Sequence, residues 1–294
     1  MVVLTYSRPA VGLEERNANV SDREFRFEML RPAELREEFK RCPLVFLPVA
    51  PLEYHGPHLP VGMDPINATQ CALETCRRLG KGVVMPTLFM GTERERPDWM
   101  LESLGFRRGD WVVGMDFPTA TWKSHYYQEH LFGLMVASTL EMLISQGYKF
   151  IVVVNGHGAW NQLETLDRLA KHYSHTTDAV IAWRLAAAVD VSEKNLAGHA
   201  DLSETSLMMY FEEAVFGGKK LVDLSALPPR STPIRYPDFS VVDGAGFSEH
   251  PSLGRVVQTD PRDASVEKGR AEFEKTVGAY LRLVEETLGR RQGA

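Results

Sequence analysis

The chain has no stretch of about 18 uncharged apolar residues, so it is not expected to place a helix across a bilayer. Its first residues, MVVLTYSRPAVGLEERN, carry charges where a secretory leader needs an apolar centre. Cysteine is scarce: Cys42, Cys71 and Cys76 are the three in 294 residues. Three thiols cannot staple a chain of this length. Cys71 and Cys76 stand five apart, which suits neither a CxxC redox pair nor a zinc knuckle. They are expected as packed thiols on a helix, and the setting as a reducing cytoplasm. Positive charge is not in excess either. With 33 basic and 39 acidic residues the net charge is −6, which leaves no basic footprint for nucleic acid. Neither an internal repeat nor a low-complexity tract is visible.

What remains is an ordinary globular composition, 44% hydrophobic and 24% charged, enough for one large domain. Residues 1–41 are polar, with a helical patch at RPAELREEFKR. PLVFLPVA (43–50) is a short apolar run read as a buried strand. In DPINATQCALETCRRLG, Asp64 before Pro65 resembles a helix cap, and Gly80 is the expected stop. KGVVMPTL (81–88) reads as a second strand. Residues 91–121 lack periodicity, and loops of that length usually carry function. From 124 to 146, Leu131, Leu134, Met135, Leu140, Met142 and Leu143 recur at helical spacing and are expected to face the core. KFIVVVN (149–155) is the β-branched run of a strand covered on both faces. The helix NQLETLDRLAKHY, the strand AVIAWRL (179–185) and helices over 201–216 and 266–289 come next. Strand–helix alternation of this kind predicts an α/β fold, a mostly parallel sheet flanked by helices. In such folds ligands gather beyond the C-terminal strand ends.

Chemistry-bearing residues stand there. After the first strand come Glu53, His55 and His58. Glu53 and His55, two apart, share a side of an extended segment, and Asp64 can return its carboxylate to the same place. After the β-branched strand, Asn155-Gly156-His157-Gly158 presents His157 on a sharp turn. Further on, His199 and Glu204 flank a helix start. Each has a plainer reading: Asp64 as a cap, Asp201 and Glu204 as a loose capping box, the histidines as satisfied loop residues. Together, two Glu, two His and one Asp form a ligand set suited to Zn²⁺, or to Mn²⁺ where oxygen dominates.

The segments PVAPLEYHGPHLPVGMD, VVVNGHGAWNQ and HADLSETS resemble, in that order, the three signatures of the creatininase family, creatinine amidohydrolase-like metal-dependent hydrolases. The resemblance implies an α/β/α sandwich, taken as a single domain over 1–294, within which the Pro- and Gly-rich 217–263 reads as irregular surface or interface loop. It implies a homo-oligomer, often a hexamer, acting on a small molecule. It implies two divalent metal ions, Zn²⁺ and/or Mn²⁺, and hydrolysis of a cyclic amide or related C–N bond. Other members of the family cleave a formamide, a peptide bond, or a C–C bond in a cyclic keto-sugar. By position, Glu53, His55, Asp64, His157 and Glu204 match metal ligands, with Asp64 bridging, and His199 matches the catalytic histidine. The chain departs from creatininase itself in two places. Ala159 stands where a ligand Glu is usual, so Glu204 is the replacement. Asn195 stands where a Trp precedes the catalytic histidine. Arg94, Arg96, Trp122, Lys123, His125 and Asn155 are the expected substrate contacts, suited to an anionic or hydroxyl-rich molecule.

Overall fold

The structure is a computed structural model that describes residues 23–103, 106–117, 120–188, 199–227, 229 and 260–289. Asn195, and within the expected interface region residues 228 and 230–259, lie outside the described residues.

Four strands, β1 (Leu44–Val49), β2 (Val83–Val84), β3 (Phe150–Asn155) and β4 (Val180–Leu185), form a parallel sheet in the order β2-β1-β3-β4. Side chains alternate across it. Leu44, Phe46, Val152 and Val154 enter one core with α2 (Met63–Leu79), α6 (Leu202–Ala214) and α7 (Val266–Gly289). Val45, Leu47, Val49, Ile151 and Val153 enter the other with α4 (Glu129–Ser145) and α5 (Trp160–Thr176), bordered by α1 (Pro32–Arg41). Two covered faces explain why the strands read as unbroken apolar runs. Burying each Val or Leu stabilises by about 1.5–3 kcal/mol, which offsets a backbone ordering cost of about 1–2 kcal/mol per residue.

The expected strand over 81–88 shrinks to Val83–Val84. Pro86 has no N–H to give to a ladder, and the chain rejoins β1 only through the bridge between Val49 and Leu88. Within 91–121 the short helix α3 (Asp98–Ser103) forms. Among the described residues no helix is long and apolar enough to cross a membrane. All three cysteines are buried and unbridged.

Two expectations change. The cap of α2 is Gly62, not Asp64, and Asp64 lies inside the first turn. Its Oδ2 is buried without a hydrogen-bond partner, so the carboxylate is not spent on backbone N–H groups. Gly80 does close the helix, in the left-handed conformation. On α4, the core face is Phe132, Val136, Thr139, Leu140 and Leu143. Leu131, Leu134, Met135 and Met142 are exposed by 43–63%, so the apolar stripe read from spacing was mostly the outer face. A helix apolar on both sides gives spacing no way to choose between them.

The strand order sets the site. From β1 the chain passes through α2 to β2 on one side. It then crosses over, through α4 on the opposite face, to β3 on the other side. The loops leaving β1 and β3 therefore part in opposite directions and open a crevice between them.

Candidate metal centre

The loop from β1 brings Glu53 and His55 into that crevice, the first turn of α2 brings Asp64, and the turn after β3 brings His157. All four are at most 4% exposed. Gly156 makes the approach possible, because a Cβ there would sit 2.6 Å from the Asp64 carbonyl oxygen. The fully buried Asn155 shapes the same turn. Its amide donates to the His157 carbonyl at 2.6 Å and accepts from the His157 N–H at 3.2 Å, and Gln162 donates to it at 2.7 Å.

The donor atoms converge. His55 Nδ1 donates to the Glu53 carbonyl at 3.1 Å, which turns Nε2 toward the acids. That nitrogen stands 3.2 Å from Asp64 Oδ1 and 3.8 Å from both Glu53 Oε2 and Glu204 Oε2. His157 Nδ1 lies 3.1 Å from Glu53 Oε2 and 3.4 Å from Asp64 Oδ2. Two overlapping sets result, Glu53–Asp64–His157 and His55–Asp64–Glu204, each with ligand atoms within 4.8 Å of one another. Asp64 belongs to both.

His199 comes from the far side, just before α6. Its Nε2 donates to the Tyr54 carbonyl at 2.9 Å, and its ring lies 4.1 Å from that of His55, tilted by 34°. A third set, Glu53–His55–His199, also lies within the same reach. Asp201 caps α6 by accepting from Ser203 and Glu204 N–H groups, while the Glu204 carboxylate accepts from the Ala200 N–H. His58 is buried and bonded to Thr205 Oγ1 at 3.0 Å, behind the cluster.

So many ionisable groups in a low-dielectric space perturb one another strongly. Burial alone would lower His55, but the carboxylates of Asp64, Glu204 and Glu53 raise it to about 10. His157 is likewise lifted well above its usual range by Glu53 and Asp64, against burial. Glu53 is held well below the usual range, its burial outweighed by His157, His199 and His55. Burial lifts Glu204 to about 7 despite the pull of His55 and His199. His58 falls to about 4 through burial and the nearby imidazoles.

Of the expected substrate contacts, Asn155 shapes the His157 turn and the others lie outside the donor cluster. Arg94 pairs with Glu129 and Glu164 on the surface. Arg96 donates to the Gly114 carbonyl and pairs with Glu93. Trp122 is 63% exposed, Lys123 donates to the Asp116 carbonyl, and His125 is exposed. Two residues that the sequence did not single out do reach the cluster. Tyr126 donates from its hydroxyl to Glu53 Oε1, and Glu93 Oε1 stands 3.8 Å from His157 Nε2. Glu93 stands beyond the C-terminal end of β2, as Glu53 and His157 stand beyond β1 and β3, and that position was its signal in the sequence.

The sequence profile described as Creatininase: Creatinine amidohydrolase matches residues 28–284. The chain belongs to the creatininase family. Three solved structures are similar to it, each covering 90% of this chain and 98% of the other. They are a creatinine amidohydrolase (TM-score 0.62, 20% identity), a mutant creatininase of Zn–Zn type (0.60, 21%) and a manganese form of creatininase (0.59, 20%). A curated relative, 3-dehydro-scyllo-inosose hydrolase of Thermotoga maritima, is 33% identical over 60 residues. That match spans only 19% of the relative's length and 20% of this chain.

Proposed function

We propose that this creatininase-family hydrolase uses two divalent cations to hydrolyse a small cyclic substrate at a carbonyl carbon, opening the C–N bond of a cyclic amide. The observation that carries the reading is the pair of donor sets sharing Asp64. The buried donors fit cations: His55 Nε2 and Asp64 Oδ2 have no hydrogen-bond partner, and His157 turns Nδ1 toward the same carboxylates. Glu53, Asp64 and His157 would hold one cation, and His55, Asp64 and Glu204 the other. Mixed imidazole and carboxylate suits Zn²⁺ or Mn²⁺. When bound, such a pair supplies Lewis acidity toward a carbonyl and an activated water at neutral pH.

The chain's own residues do the rest. His199, anchored through Nε2 by Tyr54, has Nδ1 to carry a proton to the leaving atom. Asn155 fixes the His157 turn, and the buried walls exclude bulk water. A second reading, supported by the Thermotoga relative, keeps this machinery and cleaves a C–C bond in a cyclic keto-sugar. As for assembly, the exposed Leu131, Leu134, Met135 and Met142 of α4 support a homo-oligomer.

The test is metal content together with a panel of lactams, cyclic keto-polyols and formamides. Protein as purified carries two cations per chain on this reading and loses turnover on chelation, regaining it with Zn²⁺ or Mn²⁺. Full turnover in metal-free protein would defeat the reading.

Cation uptake is also expected to depend on pH. In the metal-free protein His55, at about 10, holds a proton that an unfolded chain sheds near 6.5. Its contribution to stability is therefore complete below pH 6.5 and fades as pH rises toward 10. A cation must displace that proton and the one on His157, so affinity climbs across this window. Calorimetry at pH 8 in buffers of differing ionisation heat should register proton release as the subsites fill. A count of zero would contradict the assigned imidazoles.

A further inference from the structure

We infer that Glu93 and Tyr126 are positioning residues for one cation subsite, that of Glu53, Asp64 and His157, while the other subsite stands without them. The inference rests on the metal-dependent reading above. His157 turns Nδ1 to Glu53 and Asp64 and leaves Nε2 buried without a hydrogen-bond partner. A ring that gives Nδ1 to a cation carries its proton on Nε2, and a buried N–H needs an acceptor. Among the described residues, the carboxylate paired with that nitrogen is Glu93, its Oε1 at 3.8 Å and its side chain 8% exposed. A shift of about 1 Å makes this a hydrogen bond.

Glu93 is itself held. Arg96 Nη2 lies 3.4 Å from the same oxygen, and Arg96 Nε is fixed on the Gly114 carbonyl at 2.8 Å. The preceding residue is tied to α5: the Thr92 N–H donates to Gln162, and its hydroxyl accepts from Asn161. The carboxylate therefore stands on a braced segment rather than a free loop.

Tyr126 does for Glu53 what Glu93 does for His157. Its hydroxyl donates to Oε1 and accepts from the Met115 N–H, leaving Oε2 toward His157. Gly114 admits the ring, since a Cβ there would sit 2.6 Å from it. Both supports come from the stretch between β2 and α4. The second subsite is braced from elsewhere: His55 by the Glu53 carbonyl and Glu204 by the Ala200 N–H.

The experiment measures stepwise Zn²⁺ affinity against a competing chelator for the full chain and for Glu93→Ala, Glu93→Gln and Tyr126→Phe, with melting temperatures alongside. In the wild type, ¹⁵N spectra of His157 should place the proton on Nε2 once Zn²⁺ is bound. Glu93→Ala and Tyr126→Phe should each weaken one cation by about 10–100-fold and leave the other unchanged. Glu93→Gln, whose amide oxygen still accepts, should recover part of the loss. Equal weakening of both cations, or no change in either, overturns the inference while sparing the metal reading. A wild type that binds no cation at all overturns both.

Discussion

Asp64→Ala is expected to lose both cations and at least about 10³ in kcat/KM, some 4 kcal/mol of transition-state stabilisation. No other side chain belongs to both donor sets assigned to the cations. Removing it takes one ligand from each and leaves His55 and His157 facing fewer acids in a dry crevice. The fold should persist, because Asp64 is not the cap of α2 and its side chain gives nothing to the helix ladder. Metal analysis, turnover and melting should be read on the same preparation. A variant with two bound cations and a tenth of wild-type turnover would remove Asp64 from the centre of the mechanism.

His199→Ala should behave oppositely: both cations retained, kcat down by about 10²–10⁴, and KM little changed. Geometry is the reason. Nε2 is engaged by the Tyr54 carbonyl, and the ring lies tilted beside that of His55, 4.1 Å between centres. Proximity to Glu53 and His55 gives a rival assignment in which His199 is a ligand. Metal content separates the two, since a ligand's loss lowers occupancy and a proton carrier's does not. A substrate with a better leaving group should recover part of the lost rate only if His199 is the proton carrier.

Much of this architecture was legible because its signals are local. The β-branched run Phe150–Asn155, the Gly80 stop and the 266–289 helix are set by residues next to one another in the chain. The donor types were legible for a similar reason: they cluster in three short segments after strands or before a helix. Burial sense on α4 was not, because both its faces are apolar. Glu93 had one signal, its place beyond β2, and Tyr126 had none. Tyr126 finds its partner 73 positions away, and no spacing rule reaches that far. The charged residues of that stretch did draw attention, but Arg94 is engaged by Glu129 and Glu164.

In the sheet, β1 lies between β2 and β3, so its neighbours are synthesised after it. A growing chain carries Glu53, His55 and Asp64 early, yet these three alone make neither donor set. His157 waits for β3 to dock and Glu204 for α6. On the metal reading, the two sets of ligands would not both be complete before α6 has folded.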